Sequence, residues 1–254
     1  MREVENFFIQ IHAYKVARFY LRPMQVPLID EINGFPPVTE SRKDGILAVG
    51  GALSATLLLS AYEKGIFPWY NPGEMIMWWS PEVRGVIHLD GLKKHKSMRN
   101  ELNKKRYKVT YDTCFEKVIR ACAQDPRGAE NGDEAGTWIG EDMIEAYTGL
   151  HKLGMAHSIE VWLEDELAGG LYGVSIGRMF FGESMFSKST NASKVGLFHL
   201  AEKLKSWGFG PIDCQMMNSH IETLGAVPMS REKFGVVLNK YLRAGETIKG
   251  SWTE

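Results

Sequence analysis

Cysteine is scarce: three residues, Cys114, Cys122 and Cys214, in a chain of 254. None stands in a C-x-x-C pair or at zinc-like spacing from a histidine, and the number is odd. A disulfide framework is excluded, and no metal site is signalled. The three fall in segments of helical or strand pattern and read as small core residues of a protein in a reducing compartment, the cytoplasm. Long apolar runs are also missing. None reaches the ~20 residues of a membrane helix, so no membrane partner is expected. Residues 1–22 carry Val4, Phe7, Phe8 and Ile11 at helical spacing. Glu3 and Glu5 interrupt that run, which makes it a poor secretory signal and predicts a short amphipathic helix packed on the body. Nor is there an excess of charge. The formal net charge is -1, so no global field draws the chain to nucleic acid, and any basic surface must be local. The glycine-bracketed run 45–51 is too short for a P-loop and lacks its lysine, so it is given no phosphate role. No internal repeat is found.

What is present is ordinary globular material, 44% hydrophobic and 24% charged, in a length that allows one or two domains. Residues 23–40 hold four prolines and read as an extended, turn-rich entry segment. Ser54 caps a helix through Leu57, Leu58 and Tyr62 that closes at Gly65. Trp69, Trp78 and Trp79 follow among prolines and glycines, which indicates loop. Such rings either present faces to a base or an adenosine, or form a satellite core. Trp78 or Trp79 is assigned to core, and Trp69 fits either use. Lys93, Lys94, Lys96, Arg99, Lys104, Lys105, Arg106 and Lys108 crowd one segment in which Glu101 is the single acid. This is either a solvated face or a patch for a phosphate backbone.

Thr113 is expected to start a helix, with a capping box to Glu116 and an apolar stripe Phe115, Val118, Ile119 and Cys122. A polar, glycine-rich loop covers 124–136. Trp138 leads into a helix through Met143, Tyr147 and Leu150 that ends at Gly154. Three strands are expected over 158–163, 167–176 and 179–186, then a helix, a short strand at 212–215, and a short helix capped at Asn218 or Ser219 with Glu222. Phe234, Val237, Leu238 and Tyr241 mark a last helix.

Two apolar segments of this series carry polar insertions. Glu183 lies mid-strand, and Asp213 and Gln215 lie two apart, which puts both on one strand face. A buried carboxylate is costly unless paired or hydrogen-bonded. The insertions are therefore a site or one buried polar network joining two strands.

The order helix, helix, three antiparallel strands, helix, strand, helix resembles the acyltransferase fold of the GNAT superfamily. The motifs Gly65-Ile-Phe-Pro-Trp69, Trp78-Trp-Ser-Pro, Gly136-Thr-Trp-Ile139, His157-Ser-Ile-Glu-Val-Trp162, Gly182-Glu-Ser-Met-Phe-Ser187, Asn191-Ala-Ser-Lys194 and Ile212-Asp-Cys-Gln215 narrow this. Together they resemble the bacterial leucyl/phenylalanyl-tRNA–protein transferases, from about residue 34 to 242. The resemblance implies an α/β (α+β) chain: a GNAT-like catalytic domain with a mixed sheet over 93–254, a small N-terminal α+β domain over 31–92, and an extension over 1–30. It implies an aminoacyltransferase without cofactor or metal. Leu or Phe, and Met weakly, would pass from aminoacyl-tRNA to the α-amino group of proteins beginning with Arg or Lys, which marks them for N-degron proteolysis. It implies Asp213, Gln215 and Glu183 as catalytic, Trp69, Trp138 and Tyr147 at the adenosine and ester, and Leu171, Phe180, Leu200 and Ile212 as the amino-acid pocket. Lys93, Lys94, Lys96, Arg99, Lys104, Lys105 and Arg106 would meet the tRNA backbone.

Phe180 and Glu183 have opposite strand parity, as do Ile212 and Asp213. A common site therefore requires a bulge at Gly182 or a site straddling a strand end. Two rival readings exist. A CoA-dependent N-acyltransferase would hold pyrophosphate on a glycine-rich turn, but the turn at 189–194 has no glycine. A non-catalytic adaptor for N-termini or tRNA would have no need of Asp213 and Gln215 beside Glu183.

Overall fold

A computed structural model describes residues 26–124 and 137–253. The expected amphipathic helix at 1–22 and nearly all of the loop 124–136 lie outside the described residues. A four-stranded sheet, ordered β1-β2-β4-β3, is built from β1 (Leu28–Ile29), β2 (Ile46–Gly50), β3 (Phe67–Pro68) and β4 (Met77–Trp79). Helix α1 (Ala55–Glu63) follows β2; Ser54 Oγ accepts from the Leu57 N–H, and Gly65 turns the chain at φ +74°, as its sequence predicts. The tryptophan stretch is thus not all loop. Trp78 is fully buried in β4 and donates its indole N–H to the Gly50 carbonyl at 2.9 Å.

The second sheet has seven strands in the order β11-β5-β10-β9-β8-β7-β6. They are β5 (Val83–Ile87), β6 (Tyr107–Tyr111), β7 (Ala156–Leu163), β8 (Glu166–Ile176), β9 (Met179–Ser187), β10 (Ile212–Asp213) and β11 (Val227–Ser230). Strands β6 to β9 form an antiparallel meander. Helix α5 (Ala192–Ser206) then crosses over, and β10 returns parallel to β9, giving the mixed sheet expected of a GNAT-like fold. β5 pairs with β10 and β11, so residues 83–87 run in the large sheet, although the sequence reading groups them with the small amino-terminal unit. Helices α3 (Phe115–Ala123) and α4 (Glu141–Lys152) pack on the sheet, as does α5. Two of the three apolar clusters among the described residues bear on the site, one with Tyr147, Tyr172 and Phe181 and another with Leu171, Phe180 and Ile212. Adjacent strand residues 171 and 172, and 180 and 181, thus feed opposite faces.

Helix α2 (Lys96–Lys104) carries the basic segment, and α6 (Ser219–Leu224) and α7 (Arg231–Leu242) complete the α-helices among the described residues. The expected capping box at Thr113 does not form. Cys114 takes the cap position of α3, and the Thr113 hydroxyl instead donates to the buried carboxylate of Glu160 at 2.8 Å. That oxygen also accepts from Thr110, so a β7 carboxylate outcompetes the local cap. At α6 the cap is Asn218, accepting from the Ile221 N–H, and not Ser219.

Candidate active site

Strand β9 is broken by one residue. Tyr172 stands opposite Ser184 and Gly173 opposite Gly182, so Glu183 is the extra residue of a β-bulge. This is the break that the parity of Phe180 and Glu183 demands, and it turns the carboxylate into a cavity of about 400 Å³. Leu171, Phe180, Leu197, Leu200 and Ile212 form one apolar wall, Trp138, Ile139 and Tyr172 another, and Asn218, Ser219 and His220 of the α6 start also line it. All four residues expected to make the amino-acid pocket thus meet on one wall, with Gln215 and Cys214 adjoining.

Glu183 is the single carboxylate among the described residues that line this cavity. Its Oε2 accepts from the Tyr147 hydroxyl at 3.2 Å, and its Oε1 from the Gln215 side-chain N–H at 3.1 Å. Tyr147 in turn shares a short hydrogen bond with Tyr62 of α1. Burial pushes the Glu183 carboxyl up to about 7, and the charge of Asp213 adds to the rise. Both phenols are pushed well above their ordinary value by burial and by the nearby Glu183 charge, so they stay protonated donors.

Asp213 does not share this face. It is fully buried, and its carboxylate takes the Arg84 guanidinium in a fork, Nε to Oδ1 at 2.8 Å and Nη2 to Oδ2 at 2.7 Å. Arg84 is itself 1% exposed, lies between the Phe67 and Phe234 rings at 4.7 Å from each, and donates to the Gly65 carbonyl at 3.0 Å. The sequence reading puts Asp213 and Gln215 on one strand face, but β10 ends at Asp213 and Gln215 lies beyond it with φ +56°. Alternation therefore stops before Gln215. Asp213 Oδ1 accepts from the Gln215 backbone N–H at 3.0 Å, which holds this left-handed residue in place. Its amide is then oriented by Glu183 rather than by Asp213. An ionised carboxylate only accepts, so the amide turns its N–H₂ to Glu183 and leaves its oxygen for a substrate donor.

Sequence reasoning missed Arg84 and Tyr62. Arg84 was readable as a third charge within an apolar strand, Val83-Arg-Gly-Val-Ile87; Tyr62 gave no signal beyond its place in a helix. Trp69 does not line the cavity. It is 37% exposed and packs on Trp79 at 5.3 Å. Its loop nevertheless lies beside the start of α4, because Tyr70 donates to Asp142 in a short hydrogen bond, and a Cβ at Gly140 would meet Pro72 at 3.4 Å. That brings Trp69 to the side of the site on which Trp138 stands.

In the basic segment the seven residues divide. Lys93 donates to the Glu222 carbonyl at 3.0 Å, Lys94 lies over Phe198, and Lys104 and Arg106 hold Glu101, which is 6% exposed. Lys96, Arg99 and Lys105 make no ion pair among the described residues and are exposed. Two outcomes follow. If this segment meets the tRNA backbone, as the family resemblance implies, alanine at Lys96, Arg99 or Lys105 should weaken tRNA binding alike for different tRNAs and reduce the salt slope of log K by up to about one per site. Arg106→Ala should instead lower the melting temperature, since it leaves a buried carboxylate short of its main partner. Salt titrations of tRNA binding alongside thermal unfolding check both.

Gln215→Glu supplies a further test. It sets a second carboxylate where an amide nitrogen now stands 3.1 Å from Glu183. Two carboxylates so placed share one proton near neutrality. Single-turnover transfer should fall by about tenfold or more at pH 7 and recover in part toward about pH 9. Wild-type rates across that range would contradict the geometry.

A buried carboxylate held on a bulge beside an apolar pocket, carried by this strand–helix–strand crossover, is an arrangement compatible with acyl transfer. Comparison with known proteins specifies it. The family described as "Leucyl/phenylalanyl-tRNA protein transferase" matches residues 86–239, and its N-terminal domain matches residues 51–82. A leucyl/phenylalanyl-tRNA–protein transferase of Nitrosomonas europaea is 52% identical over 208 residues, covering 81% of this chain and 86% of that protein. One of Syntrophus aciditrophicus is 52% identical over 230 residues, 91% of this chain and 94% of that protein. The chain belongs to the leucyl/phenylalanyl-tRNA–protein transferase family. Among solved structures, FemX is similar at a TM-score of 0.45 and 9% identity, covering 69% of this chain and 66% of that one. Among the described residues no helix is long and apolar enough to cross a membrane, and no group of three or more His, Cys, Asp or Glu side chains could hold a metal ion.

Proposed function

We propose that the chain moves leucine or phenylalanine, and methionine weakly, from aminoacyl-tRNA to the α-amino group of cytoplasmic proteins that begin with Arg or Lys, marking them for N-degron proteolysis. The observation that carries the chemistry is Glu183, the bulge residue of β9, pushed up to about 7 on a cavity in which it is the single carboxylate among the described lining residues.

The reaction is aminolysis of an activated ester. An α-amino group has a pKa of ~7.7–8.0, so a tenth to a fifth is already neutral near pH 7, and a strong base is not needed. The amine nitrogen bonds to the ester carbon, the bond to the ribose oxygen breaks, and one amine proton ends on that oxygen. Glu183, with a carboxyl matched to neutral pH, takes the proton as the bond forms and returns it to the leaving oxygen. The Gln215 oxygen accepts the second N–H and aligns the lone pair. Tyr147 fixes Glu183 from the other side. Asp213 acts at one remove, through the backbone of Gln215 and through Arg84. Trp138 and Trp69 stack the terminal adenosine, and the wall of Leu171, Phe180, Leu200 and Ile212 takes the amino-acid side chain. Such a pocket discriminates by ~1–3 kcal/mol per methylene, which is why Met is accepted in part.

The test is purified protein with Leu-tRNA or Phe-tRNA and a peptide beginning with Arg, read by mass spectrometry for a peptide heavier by one residue. Transfer to an Arg-initiated peptide and none to one beginning with Glu is expected. Binding without transfer would restore the adaptor reading, and acyl transfer from acetyl-CoA the CoA reading.

A further inference from the structure

Phe180 forms part of the pocket wall, and its position is set from two sides. Beneath it β8 has Gly173, where an added Cβ would stand 2.6 Å from the Phe180 ring, so the ring packs against bare backbone. On the other side is Trp252, with ring centroids 5.9 Å apart. Trp252 is 2% exposed and belongs to the same apolar cluster as Leu171, Leu200 and Ile212.

Trp252 reaches this place on a strap, residues 245–252, that is fixed at four points. The Arg178 guanidinium donates to the Glu246 carbonyl at 2.8 Å, and the Gly177 N–H donates to the Thr247 hydroxyl at 2.8 Å. Gly250 crosses Gly154 so closely that a Cβ there would lie 2.2 Å from its nitrogen. The Trp252 N–H donates to Asp112 Oδ2 at 2.7 Å. Its indole stacks on His157 at 3.8 Å, and that imidazole is held by the same Asp112 carboxylate at 2.9 Å. A surface-running segment anchored at four points, with one large ring turned in behind a pocket residue, is built to place that ring.

We infer that Trp252 is a positioning residue that sets the depth of the amino-acid pocket by holding Phe180 forward, so that the strap governs the choice between aliphatic and aromatic side chains. The inference rests on the reading that this wall receives the transferred residue. With a smaller residue at 252, Phe180 can retreat and the pocket deepens, which favours the larger ring of phenylalanine.

The test uses the full chain and two non-cleavable probes, the 3′-amide-linked leucyl and phenylalanyl derivatives of adenosine. Calorimetric affinities are compared for the wild type, Trp252→Leu and Trp252→Phe. The ratio of affinities should move toward the phenylalanyl probe by about tenfold in Trp252→Leu and about threefold in Trp252→Phe, as expected for a few methylenes of pocket volume. Binding of uncharged tRNA should stay within about twofold, since the strap does not touch the basic helix. If Trp252→Leu fails to fold, Trp252→Phe, which keeps an aromatic on the strap, decides the matter. An unchanged ratio in the folded variants, with both probes weakened equally or not at all, would overturn the inference and leave Trp252 as core alone. Wild-type protein that binds neither probe would overturn the amino-acid-pocket reading and this inference with it, a result distinct from any effect of substitution.

Discussion

Glu183→Gln is expected to lose transfer by about 10²–10⁴-fold while making the protein more stable at alkaline pH, because the two effects have one cause. Burial lifts the Glu183 carboxyl from 4.5 to about 7. The folded state therefore holds the proton more tightly than the unfolded chain. Stability is undiminished below about pH 4.5, declines as pH rises toward 7, and stays lowered above it. At ~1.36 kcal/mol per pKa unit the full decline is roughly 3 kcal/mol. Glutamine carries no charge to desolvate and escapes the decline. It can still meet Tyr147 and Gln215 by hydrogen bonds, but it cannot take a proton. Wild type and variant should thus melt together at about pH 4.5 and diverge by pH 8, with the inactive variant the more stable. Thermal unfolding across that range, with single-turnover transfer at each pH, checks both halves. A variant less stable throughout would mean that Glu183 serves the fold, and wild-type transfer would remove it from the chemistry.

The same residue shows what the sequence could and could not convey. A carboxylate amid Met179 to Phe186 is visible as a violation of strand alternation, and the glycine before it marks where the strand could yield. Hence the bulge was readable, whereas the grouping of Leu171, Phe180, Leu200 and Ile212 was implied by the family resemblance and by no spacing or pattern of the residues themselves. The partner of Asp213 was not readable. Arg84 lies 129 positions earlier in the chain, and only the antiparallel pairing of β5 with β10 brings the two together. Spacing of two made Asp213 and Gln215 look like strand neighbours, but the Asp213 carboxylate, held by the sequence-distant Arg84, accepts from the Gln215 backbone N–H in a local side-chain-to-backbone turn, and Gln215 is left-handed. The Thr113 cap failed for a like reason: Glu160, distant in sequence, supplies a stronger acceptor than the local backbone arrangement. The short edge strands β6 and β11 escaped notice because one sits in the basic segment and the other carries Pro228, both poor strand signals in isolation.

The division of labour between Asp213 and Glu183 can be separated by pH. If Asp213 took the proton itself, its removal would abolish the pH dependence of transfer. The geometry places it instead in a buried fork with Arg84, where its negative charge raises the Glu183 carboxyl and the positive charge of Arg84 lowers it. Asp213→Asn cancels the first influence and leaves the second. The Glu183 carboxyl should then fall, and the midpoint of the transfer rate should move from about 7 toward acid. The variant should also lose about 3–5 kcal/mol of stability, because a fully buried guanidinium is left without its counter-charge. Replacing both partners, Arg84→Met with Asp213→Leu, removes the stranded charge and should restore at least half of that loss, with Met lying between Phe67 and Phe234. It also removes both influences on Glu183, so the midpoint should return close to its wild-type position. Transfer should nonetheless stay low, by about tenfold or more, since the Gln215 N–H has lost the acceptor that holds its left-handed backbone. Rate–pH profiles and denaturant unfolding of the wild type, Asp213→Asn and the double variant measure all three quantities. An Asp213→Asn profile with an unmoved midpoint, or a stable double variant that transfers at the wild-type rate, would show that Asp213 and Arg84 do not act through Glu183 and Gln215.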